Sequence, residues 1–581
     1  MCGIFTLLNN HNFIKVSDIQ DNFNKGKGRG PEFSSLTQEF LNTHVGFHRL
    51  AINGIDEQSH QPIHIQNTVL ICNGEIYNYK ELFKTMNITP ETNSDCEVIS
   101  HLYIRYGIEQ TLSLLDGVFS FILIDKNFSN DSKIFIARDP YGVRPLYIMK
   151  PTNDIKFSKY HIYGFASELK SLFQLHKTLN IENDLKNTRN NTKLAKYVNY
   201  TIEQFLPGTY MSFTMPSNNE SYWKDRKSIQ YHSHGFYSNL LNDNYTLPKI
   251  LKYIRTYLIN AVNKRCITTD RPVACLLSGG LDSSIITALV NEYCIQNSMP
   301  TLETYSIGLE GAEDLQYARK VADHLGTKHT EIILSESQFL NAIPEVIQGI
   351  ESFDTTTIRA SIGNWLIGKY ISENSQAKVI FNGDGSDELM GGYLYMGKAN
   401  DEFEFDRECR RLLKYIHTFD VLRSDKCISS HGLEPRTPFL DRSWVNYYLS
   451  IPTNIRFHTL NNKPEKYLLR TAFSEEEFKN TNDLPLLPKE VLWRRKEAFS
   501  DGVSKQTRSL YEIIQDYVDT QISDSNERVF NHLHPQTKEQ LYYRIIFEKH
   551  YPGVSHILPY FWMPKYVDAT DSSARSLSIY K

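Results

Sequence analysis

The segment Leu276–Ser284 of this 581-residue chain is rich in serine and glycine and separates two apolar runs. The run before it, 272–275, predicts a short buried strand, and the run after it, 285–290, predicts the start of a helix. A turn between a strand and a helix N-terminus points unpaired backbone N–H groups and the positive end of the helix dipole at one place, where an anion can bind. Gly279 and Gly280 let the backbone approach a phosphate closely.

The same segment also carries hydroxyl donors and one carboxylate. Ser278, Ser283 and Ser284 supply hydrogen-bond donors for a phosphate. Asp282 would repel a phosphate, but it fits a site in which a divalent cation lies between the carboxylate and the phosphates. No Lys-Ser or Lys-Thr pair follows the glycines, so the Walker motif is excluded. The geometry alone indicates phosphate binding, and a plain Ser/Gly turn beside a helix remains the alternative.

From about Leu247 onward, helical and strand patterns alternate, which predicts a parallel sheet with helices on both faces. The predicted helices are 250–264, 283–295 and 315–325, and the predicted strands are 273–277, 302–307 and 329–333. Ligands of such sheets bind at the carboxyl ends of the strands. Three segments at strand ends are therefore expected to converge: 276–284, 306–309 and 379–388.

Length and composition limit the alternatives. A chain of 581 residues exceeds a single core, so about two to four domains are expected. The net charge of −4 gives no reason to expect a nucleic-acid partner. No apolar run approaches the roughly 20 residues of a membrane span and no signal peptide is evident, so a cytoplasmic protein without membrane contact is expected. The eight scattered cysteines, without a Cys-x-x-Cys pair, favour free thiols over a zinc site or disulfides.

The amino end contains a second candidate catalytic group, a cysteine thiol. Cys2 follows Met1, and because cysteine is small, removal of Met1 would leave a thiol and a free α-amine in one residue. An α-amine has a pKa of about 7.7–8.0 in model peptides, so its neutral fraction can accept the thiol proton at neutral pH. Considered alone, the position favours an inert cysteine in a buried first strand. The apolar runs 117–125 and 133–139 further along predict strands of a layered sheet.

Further segments favour a catalytic rather than an inert Cys2. Together with Cys2 they resemble the class II glutamine amidotransferase domain, an N-terminal-nucleophile hydrolase. The resemblance extends to about Leu169 and rests on the segments 47–52, 61–62, 73–78 and 94–97. It implies an α+β domain with layered α/β/β/α architecture, in which Cys2 attacks the side-chain amide of glutamine. Gly28 is a departure, since the family usually has His before Arg-Gly-Pro; this change concerns the loop that covers glutamine rather than a catalytic group.

The resemblance also implies roles for individual residues around the thiol. Arg49 would hold the α-carboxylate of glutamine, a planar anion suited to a bidentate guanidinium. Glu75 and Asp95 would bind around its α-amino group. The Asn73 side chain and the Gly74 N–H would form the oxyanion hole, where loss of a donor typically costs about 10²–10³ in rate.

The second half resembles the synthetase domain of the glutamine-hydrolysing asparagine synthetase family, whose Ser-Gly-Gly loop is of the ATP-pyrophosphatase type. The resemblance implies an α/β domain with a parallel sheet, similar to adenine-nucleotide α-hydrolases, which uses ATP and Mg²⁺ to adenylate a carboxylate. Backbone groups of Leu276, Ile307 and Gly383 would contact the nucleotide. The rest of the implied ATP site comprises Ser278, Gly279, Gly280, Asp282, Ser283, Asp384 and Lys466.

Charged residues of this half match family positions with particular roles. Asp282 and Asp387 match magnesium-binding carboxylates, and Lys466 matches a lysine on the phosphates. Arg359 matches a residue near the pyrophosphate and aspartate pocket. Asp384 is a departure, because the family usually has Gly-Glu-Gly-Ser-Asp-Glu, with the first Glu important for adenylation. The shorter side chain predicts adenylation that is retained but slower, since a misplacement of about 1 Å can cost on the order of 10²-fold.

The predicted organisation is a glutaminase domain at 1–215, a linker at 216–245, an ATP-binding synthetase domain at 246–565 and a disordered tail at 566–581. The resemblance implies synthesis of asparagine from aspartate through β-aspartyl-AMP, with ammonia carried internally from glutamine. The implied partners are the small molecules glutamine, aspartate and ATP, and a homodimer is compatible with the family.

Two alternatives remain open. One is a glutamine-dependent amidotransferase of the same architecture that acts on a different carboxylate; the segment 355–361, Thr-Thr-Thr-Ile-Arg-Ala-Ser, favours aspartate. The other is an inactive relative with a storage or stress role. Retention of Cys2, Asp282 and Lys466 counts against that second reading.

Overall fold

A computed structural model describes residues 1–127, 131–152, 161–189, 199–216, 222–225, 228–233, 246–496, 502–504, 508–522 and 529–572. The chain forms two compact units, Met1–Ser233 with Tyr551–Ile557, and His234–His550 with Leu558–Lys581. The described parts of the predicted linker, which are residue 216 and the ranges 222–225 and 228–233, thus belong to the first unit. Most of the predicted linker lies outside the described residues, as do residues 573–581 of the predicted tail.

The first unit contains two antiparallel sheets. Its strands are β1 (Gly3–Leu8), β2 (Phe33–Phe40), β3 (Thr43–Arg49), β4 (Ile63–Ile65), β5 (Thr68–Ile76), β6 (Gly117–Asp125), β7 (Ser132–Arg138), β8 (Tyr147–Pro151), β9 (Tyr163–Ala166), β10 (Tyr200–Gln204), β11 (Thr209–Met215), β12 (Lys224–Asp225) and β13 (Ile229–Gln230). One sheet has the order β10-β8-β9-β1-β3-β2. The other has the order β12-β11-β7-β6-β5-β4, and β13 pairs with β11.

Apolar side chains on both faces of β5 explain the layering of this unit. Val69 and Ile71 share a buried cluster with Ile4 of the other sheet, whereas Leu70 and Cys72 share a second cluster with apolar residues of two helices. Side chains of a strand point alternately to opposite faces, so β5 contributes to both clusters. The helices of this unit are α1 (Val16–Asn24), α2 (Tyr79–Met86), α3 (Val98–Leu114) and α4 (Lys170–Arg189). The predicted layered α+β fold is confirmed.

The second unit is built on a five-stranded parallel sheet of order β16-β15-β14-β17-β18. The strands are β14 (Val273–Leu276), β15 (Glu303–Leu309), β16 (Lys328–Leu334), β17 (Val379–Phe381) and β18 (Glu434–Arg436). Because β14 and β17 are parallel neighbours, the loops that follow them leave the same edge of the sheet. The predicted α/β domain with a parallel sheet is therefore confirmed.

The second unit also contains helices. They are α5 (Leu247–Ile267), α6 (Leu281–Gln296), α7 (Glu313–Leu325), α8 (Glu336–Ile350), α9 (Thr355–Asn374), α10 (Ser386–Met390), α11 (Glu402–Tyr415), α12 (Asp420–Ser429), α13 (Arg442–Ser450), α14 (Thr453–Arg456), α15 (Tyr467–Ala472), α16 (Lys489–Leu492), α17 (Leu510–Gln521) and α18 (Lys538–His550). Helices α6 and α7 contact each other, as do α9 and α12.

Two smaller observations concern the whole described chain. All eight cysteines fall within it as free thiols, as the sequence predicts. Within the same residues, every helix falls short of the length or the apolar character needed to cross a bilayer.

Candidate active sites

In the first unit, the backbone around Cys2 is held by a buried ion pair. The Arg29 guanidinium donates a hydrogen bond to the Cys2 carbonyl at 2.9 Å and pairs with Glu168 at 2.7 Å. The Cys2 thiol is partly buried and donates to the Leu50 carbonyl at 3.6 Å. The thiol is thus fixed at the start of β1.

A shared hydroxyl connects that strand with Asn73. Ser167 Oγ accepts a hydrogen bond from the Ile4 backbone N–H at 3.1 Å and one from Asn73 Nδ2 at 3.4 Å. Asn73 is fully buried, and its Oδ1 accepts no hydrogen bond from the described residues. A Cβ on the adjacent Gly74 would lie 2.4 Å from the Val118 carbonyl oxygen, so only glycine fits. The Asn73 amide is thereby held near the amino end of β1.

Arg49, at the end of β3, is buried and directed into a tight loop. Its guanidinium donates to the carbonyls of Asp56, at 2.9 Å, and Gly54. Gly54 has a φ of +60°, and a Cβ there would lie 2.3 Å from Ser59 Oγ. The loop therefore requires glycine at the position that turns a carbonyl toward the guanidinium.

Glu75 and Asp95, the two carboxylates predicted to bind an amino group, meet at one side chain. Asn53 Nδ2 donates to both, at 3.4 Å to Asp95. Asp95 also accepts from the Ile76 backbone N–H at 2.6 Å. Both carboxylates are buried, with 4% and 3% of their surface exposed. A pair of buried carboxylates of this kind can accept hydrogen bonds from an ammonium group.

In the second unit, the predicted phosphate loop has the expected strand–turn–helix form, between β14 and α6. Gly279 has a φ of +73°, and a Cβ there would lie 2.5 Å from the Ala318 backbone nitrogen. The Ser278 and Ser283 hydroxyls are hydrogen-bonded to each other at 2.9 Å across the turn. The glycine is required both by its backbone conformation and by the close approach of α7.

Lys466 joins the two carboxylates predicted to bind metal. Its Nζ lies 2.7 Å from Asp282 Oδ2 and 2.5 Å from Asp387 Oδ1. Burial opposes ionisation of Asp387, but the charges of Lys466 and Lys496 outweigh it and hold the pKa of that carboxyl well below its usual range. A Cβ on Gly392 would lie only 2.0 Å from Lys466 Cε. The cluster brings together residues that are far apart in the sequence.

Asp384 lies beside the Arg423 guanidinium in the second unit. Asp384 Oδ1 is 3.3 Å from Arg423 Nη2, and Asp420 is 3.1 Å from the same nitrogen. Nearby, burial and then the charge of Asp420 raise the pKa of Glu388 well above its usual value, and Tyr393 donates a hydrogen bond to it. Acidic groups therefore dominate this side of the site.

Arg359 is buried among carboxylates. It donates to Glu539 at 2.9 Å through Nε and to Asp571 at 2.8 and 3.0 Å through its two terminal nitrogens. The Tyr511 ring lies 4.8 Å from the guanidinium carbon. Asp571 belongs to the tail that was predicted to be disordered, of which residues 566–572 are described. Arg359, which is predicted to lie near the aspartate pocket, is thus paired with a carboxylate of the chain itself.

The groups of the second unit described above surround a cavity of about 250 Å³. The predicted residues that line it are Leu276, Ser278, Gly280, Asp282, Ser283, Arg359, Gly383, Asp384, Asp387 and Lys466. Two predicted residues, Gly279 and Ile307, are not among the described residues that line it; Ile307 is buried in β15.

Five cationic residues in the cavity wall have no role predicted from the sequence: Arg423, Arg470, Arg494, Arg495 and Lys496. Lys496 Nζ is 2.7 Å from Asp387 Oδ2 and 4.0 Å from Asp282 Oδ2. Spacing in the sequence does not place the segment of Arg494 and Lys496 beside loops more than a hundred residues away.

Comparison with known proteins covers the whole chain. The family described as "Asparagine synthase" matches residues 253–404 and 398–556, and the "Glutamine amidotransferase domain" matches residues 1–223. The asparagine synthetase [glutamine-hydrolyzing] of Gallus gallus is 41% identical over 603 aligned residues, which cover 100% of this chain and 99% of that protein. The protein of the same name from Homo sapiens is 39% identical over 601 aligned residues, with the same coverage. The chain belongs to the family of glutamine-hydrolysing asparagine synthetases.

Proposed function

We propose that this protein makes asparagine from aspartate, with ATP as the energy source and glutamine as the nitrogen donor. The observation that carries the proposal is the cavity of the second unit, where Asp282, Asp387 and Lys466 converge beside a phosphate-type loop. The printed names of the full-length relatives support the choice of substrates.

The first unit would supply ammonia. After removal of Met1, the α-amine of Cys2 would accept the thiol proton, and the sulfur would attack the side-chain carbonyl carbon of glutamine. The C–N bond breaks, ammonia leaves, and water then hydrolyses the thioester to glutamate. Asn73 Nδ2 and the Gly74 N–H would stabilise the oxyanion, and Arg49 would hold the substrate carboxylate. The fixed loop under Arg49 supports that role, since it holds the guanidinium in one orientation.

The second unit has a donor set that fits magnesium. Asp282 and Asp387 lie against the same ammonium group, so both can approach one cation. Mg²⁺ is usually bound by one or two carboxylates together with substrate phosphates. Asp282 and Asp387 would hold the ion when nucleotide is bound, and the ion would neutralise charge on the phosphates. Among the described residues no cluster of three His, Cys, Asp or Glu side chains suits a metal, which agrees with a site completed by the substrate.

Adenylation would take place in the cavity. An oxygen of the aspartate β-carboxylate attacks the α-phosphorus of ATP, the bond from that phosphorus to the bridging oxygen breaks, and pyrophosphate leaves with the electron pair. Ser278, Ser283 and Lys466 would bind the phosphates, and Asp384 would position the acyl group through Arg423. Ammonia then attacks the acyl carbon and AMP leaves.

Product analysis tests this proposal. The protein is incubated with ATP, magnesium, glutamine and aspartate, and AMP, pyrophosphate, glutamate and asparagine are measured. We expect the four products in equal amounts, with pyrophosphate release dependent on aspartate. Formation of ADP, or release of pyrophosphate without aspartate, would contradict the proposal. Replacing aspartate with other carboxylic acids tests the alternative amidotransferase.

A Cys2→Ala variant separates the two reactions. Loss of the thiol should abolish glutamate formation, whereas ammonium chloride should still support asparagine synthesis, because the second unit keeps its residues. The same variant without ammonium chloride is the matched control. Glutamine-dependent synthesis by this variant would refute the role of the thiol.

A further inference from the structure

Three aromatic side chains pack together in the wall of the cavity in the second unit. Tyr393, Tyr395 and Trp562 all line it. The centroid of the Trp562 ring system lies 5.4 Å from that of Tyr393 and 6.1 Å from that of Tyr395, and the two tyrosine rings are stacked at 5.8 Å. Trp562 and Tyr395 are buried. We call these three side chains the aromatic wall, to which the proposed mechanism gives no role.

The hydroxyl groups of the aromatic wall are engaged by carboxylates. The Tyr393 hydroxyl donates to Glu388 Oε1, and the Tyr395 hydroxyl donates to Glu408 Oε1 at 3.0 Å. A tyrosine has a single O–H, so neither hydroxyl keeps a donor for a water molecule. A buried water usually needs about two to four polar partners. The aromatic wall is therefore an unfavourable surface for bound water.

Contacts connect the aromatic wall with the side of the cavity proposed to hold the acyl group. Tyr393 donates to Glu388, whose pKa is raised by burial and then by the charge of Asp420. Asp420 pairs with Arg423, and the same guanidinium nitrogen lies 3.3 Å from Asp384. Asp384 is the residue proposed to position the acyl group. The aromatic wall thus borders the acidic groups around that position.

Trp562 comes from the carboxyl-terminal part of the chain, and Asp354 holds its backbone. The Trp562 N–H donates to Asp354 Oδ1 at 2.8 Å. The other oxygen of this fully buried carboxylate caps α9, accepting from the Thr357 N–H at 2.9 Å and from its hydroxyl at 2.8 Å. One carboxylate therefore fixes Trp562 against the helix that carries Arg359.

The residues around Trp562 are attached to a second helix, α11. The Tyr560 hydroxyl accepts from Arg411 Nη1 at 3.0 Å, and the Tyr566 hydroxyl donates to the Glu404 carbonyl at 2.9 Å. Both partners belong to α11. The chain is thus attached on both sides of Trp562, so the indole is held at the cavity by a fixed backbone.

We propose that Trp562 is a specificity-determining residue, whose indole excludes water from the acyl carbon so that ammonia consumes the acyl-adenylate. The proposal rests on the proposed function, because the acyl-adenylate forms only in that reaction. Water that reached the acyl carbon would attack it through oxygen and lose a proton to solvent. The bond from that carbon to the phosphate oxygen would break, and AMP would leave with the electron pair. Aspartate would be regenerated and ATP consumed without asparagine, a side reaction that water exclusion prevents.

The test uses the full chain with Trp562→Ala, which removes the ring system, and Trp562→Phe, which keeps an aromatic ring. ATP, magnesium, aspartate and ammonium chloride are supplied in water enriched in heavy oxygen, so that the glutaminase reaction is not needed. AMP, asparagine and heavy oxygen in the β-carboxylate of aspartate are measured by chromatography and mass spectrometry.

We expect the wild type to form AMP and asparagine in equal amounts. With Trp562→Ala at limiting ammonium chloride, AMP should exceed asparagine by about 2- to 10-fold, because water and ammonia would then compete for the same carbon over similar barriers. Heavy oxygen should appear in aspartate at the same time. Trp562→Phe should restore most of the equality between the two products.

Trp365→Ala is the matched control, because Trp365 is a buried indole of α9 that is not among the described residues lining the cavity. Whatever its rate, this variant should form AMP and asparagine in equal amounts. Equal amounts from Trp562→Ala, without heavy oxygen in aspartate, would refute the proposal, as would the same excess of AMP from Trp365→Ala. If Trp562→Ala does not fold, as judged by circular dichroism, equal amounts from Trp562→Gln give the same refutation. Failure of the wild type to form AMP and asparagine would instead refute the proposed function.

Discussion

Asp384→Glu tests how closely side-chain length controls adenylation. Asp384 Oδ1 lies 3.3 Å from Arg423 Nη2. Charge-assisted hydrogen bonds are shorter, at about 2.7–2.9 Å, so the carboxylate falls short by about 0.5 Å. The family usually has glutamate at this position, and the additional methylene adds about 1.5 Å of reach. The longer side chain can therefore close the gap.

The expected increase in the adenylation rate follows from the excess distance between Asp384 and Arg423. A misplacement of about 1 Å costs on the order of 10²-fold when positioning controls the rate, so about half that distance corresponds to roughly 10-fold. Part of the gain is lost to reorganisation, because Arg423 also pairs with Asp420 at 3.1 Å. We expect aspartate-dependent release of pyrophosphate to rise by about 3- to 10-fold, since each tenfold change corresponds to about 1.4 kcal/mol in the barrier.

Pyrophosphate release at saturating ATP and aspartate is the assay, with glutamate release as an internal reference that should not change. Asp420→Glu is the matched control: it adds the same methylene to the other partner of Arg423, and we expect no gain. A lower rate for Asp384→Glu would refute the reasoning, because it would mean that the shorter carboxylate is already at its best position. An equal gain for Asp420→Glu would also count against it.

Three further variants test other parts of the structure. Gly392→Ala should lower pyrophosphate release at least about 10²-fold and leave glutamate release intact, because its Cβ would lie 2.0 Å from Lys466 Cε; equal loss of both activities would contradict this. Burial lowers the pKa of His458 to about 4, so the unfolded state gains a proton near pH 6.5 before the folded state does, and stability is lost as the pH falls. Urea titration should therefore show wild type losing about 2 kcal/mol more than His458→Phe between pH 7 and pH 5; parallel losses would refute the assignment. Asp571→Asn should lower the KM for aspartate several-fold, because it removes the carboxylate that pairs with Nη1 of Arg359 and leaves the pair with Glu539 in place; an unchanged KM would exclude that competition.

Local patterns in the sequence predicted the framework of the second unit. The predicted strand 273–277 and helix 283–295 correspond to β14 and α6, Val273–Leu276 and Leu281–Gln296. Both were predictable because a parallel strand is a short apolar run and because glycines and serines separate it from the helix. The placement of the loop 382–388 beside the phosphate loop followed from the rule that ligands gather at the carboxyl ends of parallel strands.

Contacts between distant segments were not predictable in the same way. Lys496 and Arg494 reach the phosphate loop at Asp282 and Gly279 across more than 200 residues of sequence, and no periodicity encodes such a distance. The ion pair of Arg359 with Asp571 joins residues 212 apart in the sequence. A serine-rich composition suggested only that the tail is disordered, because composition does not reveal a single buried partner. Such pairs depend on the tertiary fold rather than on local propensity.

The charged side chains of the cavity balance one another. Two carboxylates that are only 14% and 15% exposed would be costly without partners, because much of their hydration is lost and nothing replaces it. Lys466 and Lys496 provide that replacement at Asp282 and Asp387. A nucleotide with its cation offers the carboxylates a stronger positive charge and offers the lysines phosphate oxygens, so each group exchanges one opposite charge for another. The ion pairs among these four side chains are therefore compatible with the interactions expected of a nucleotide and its cation.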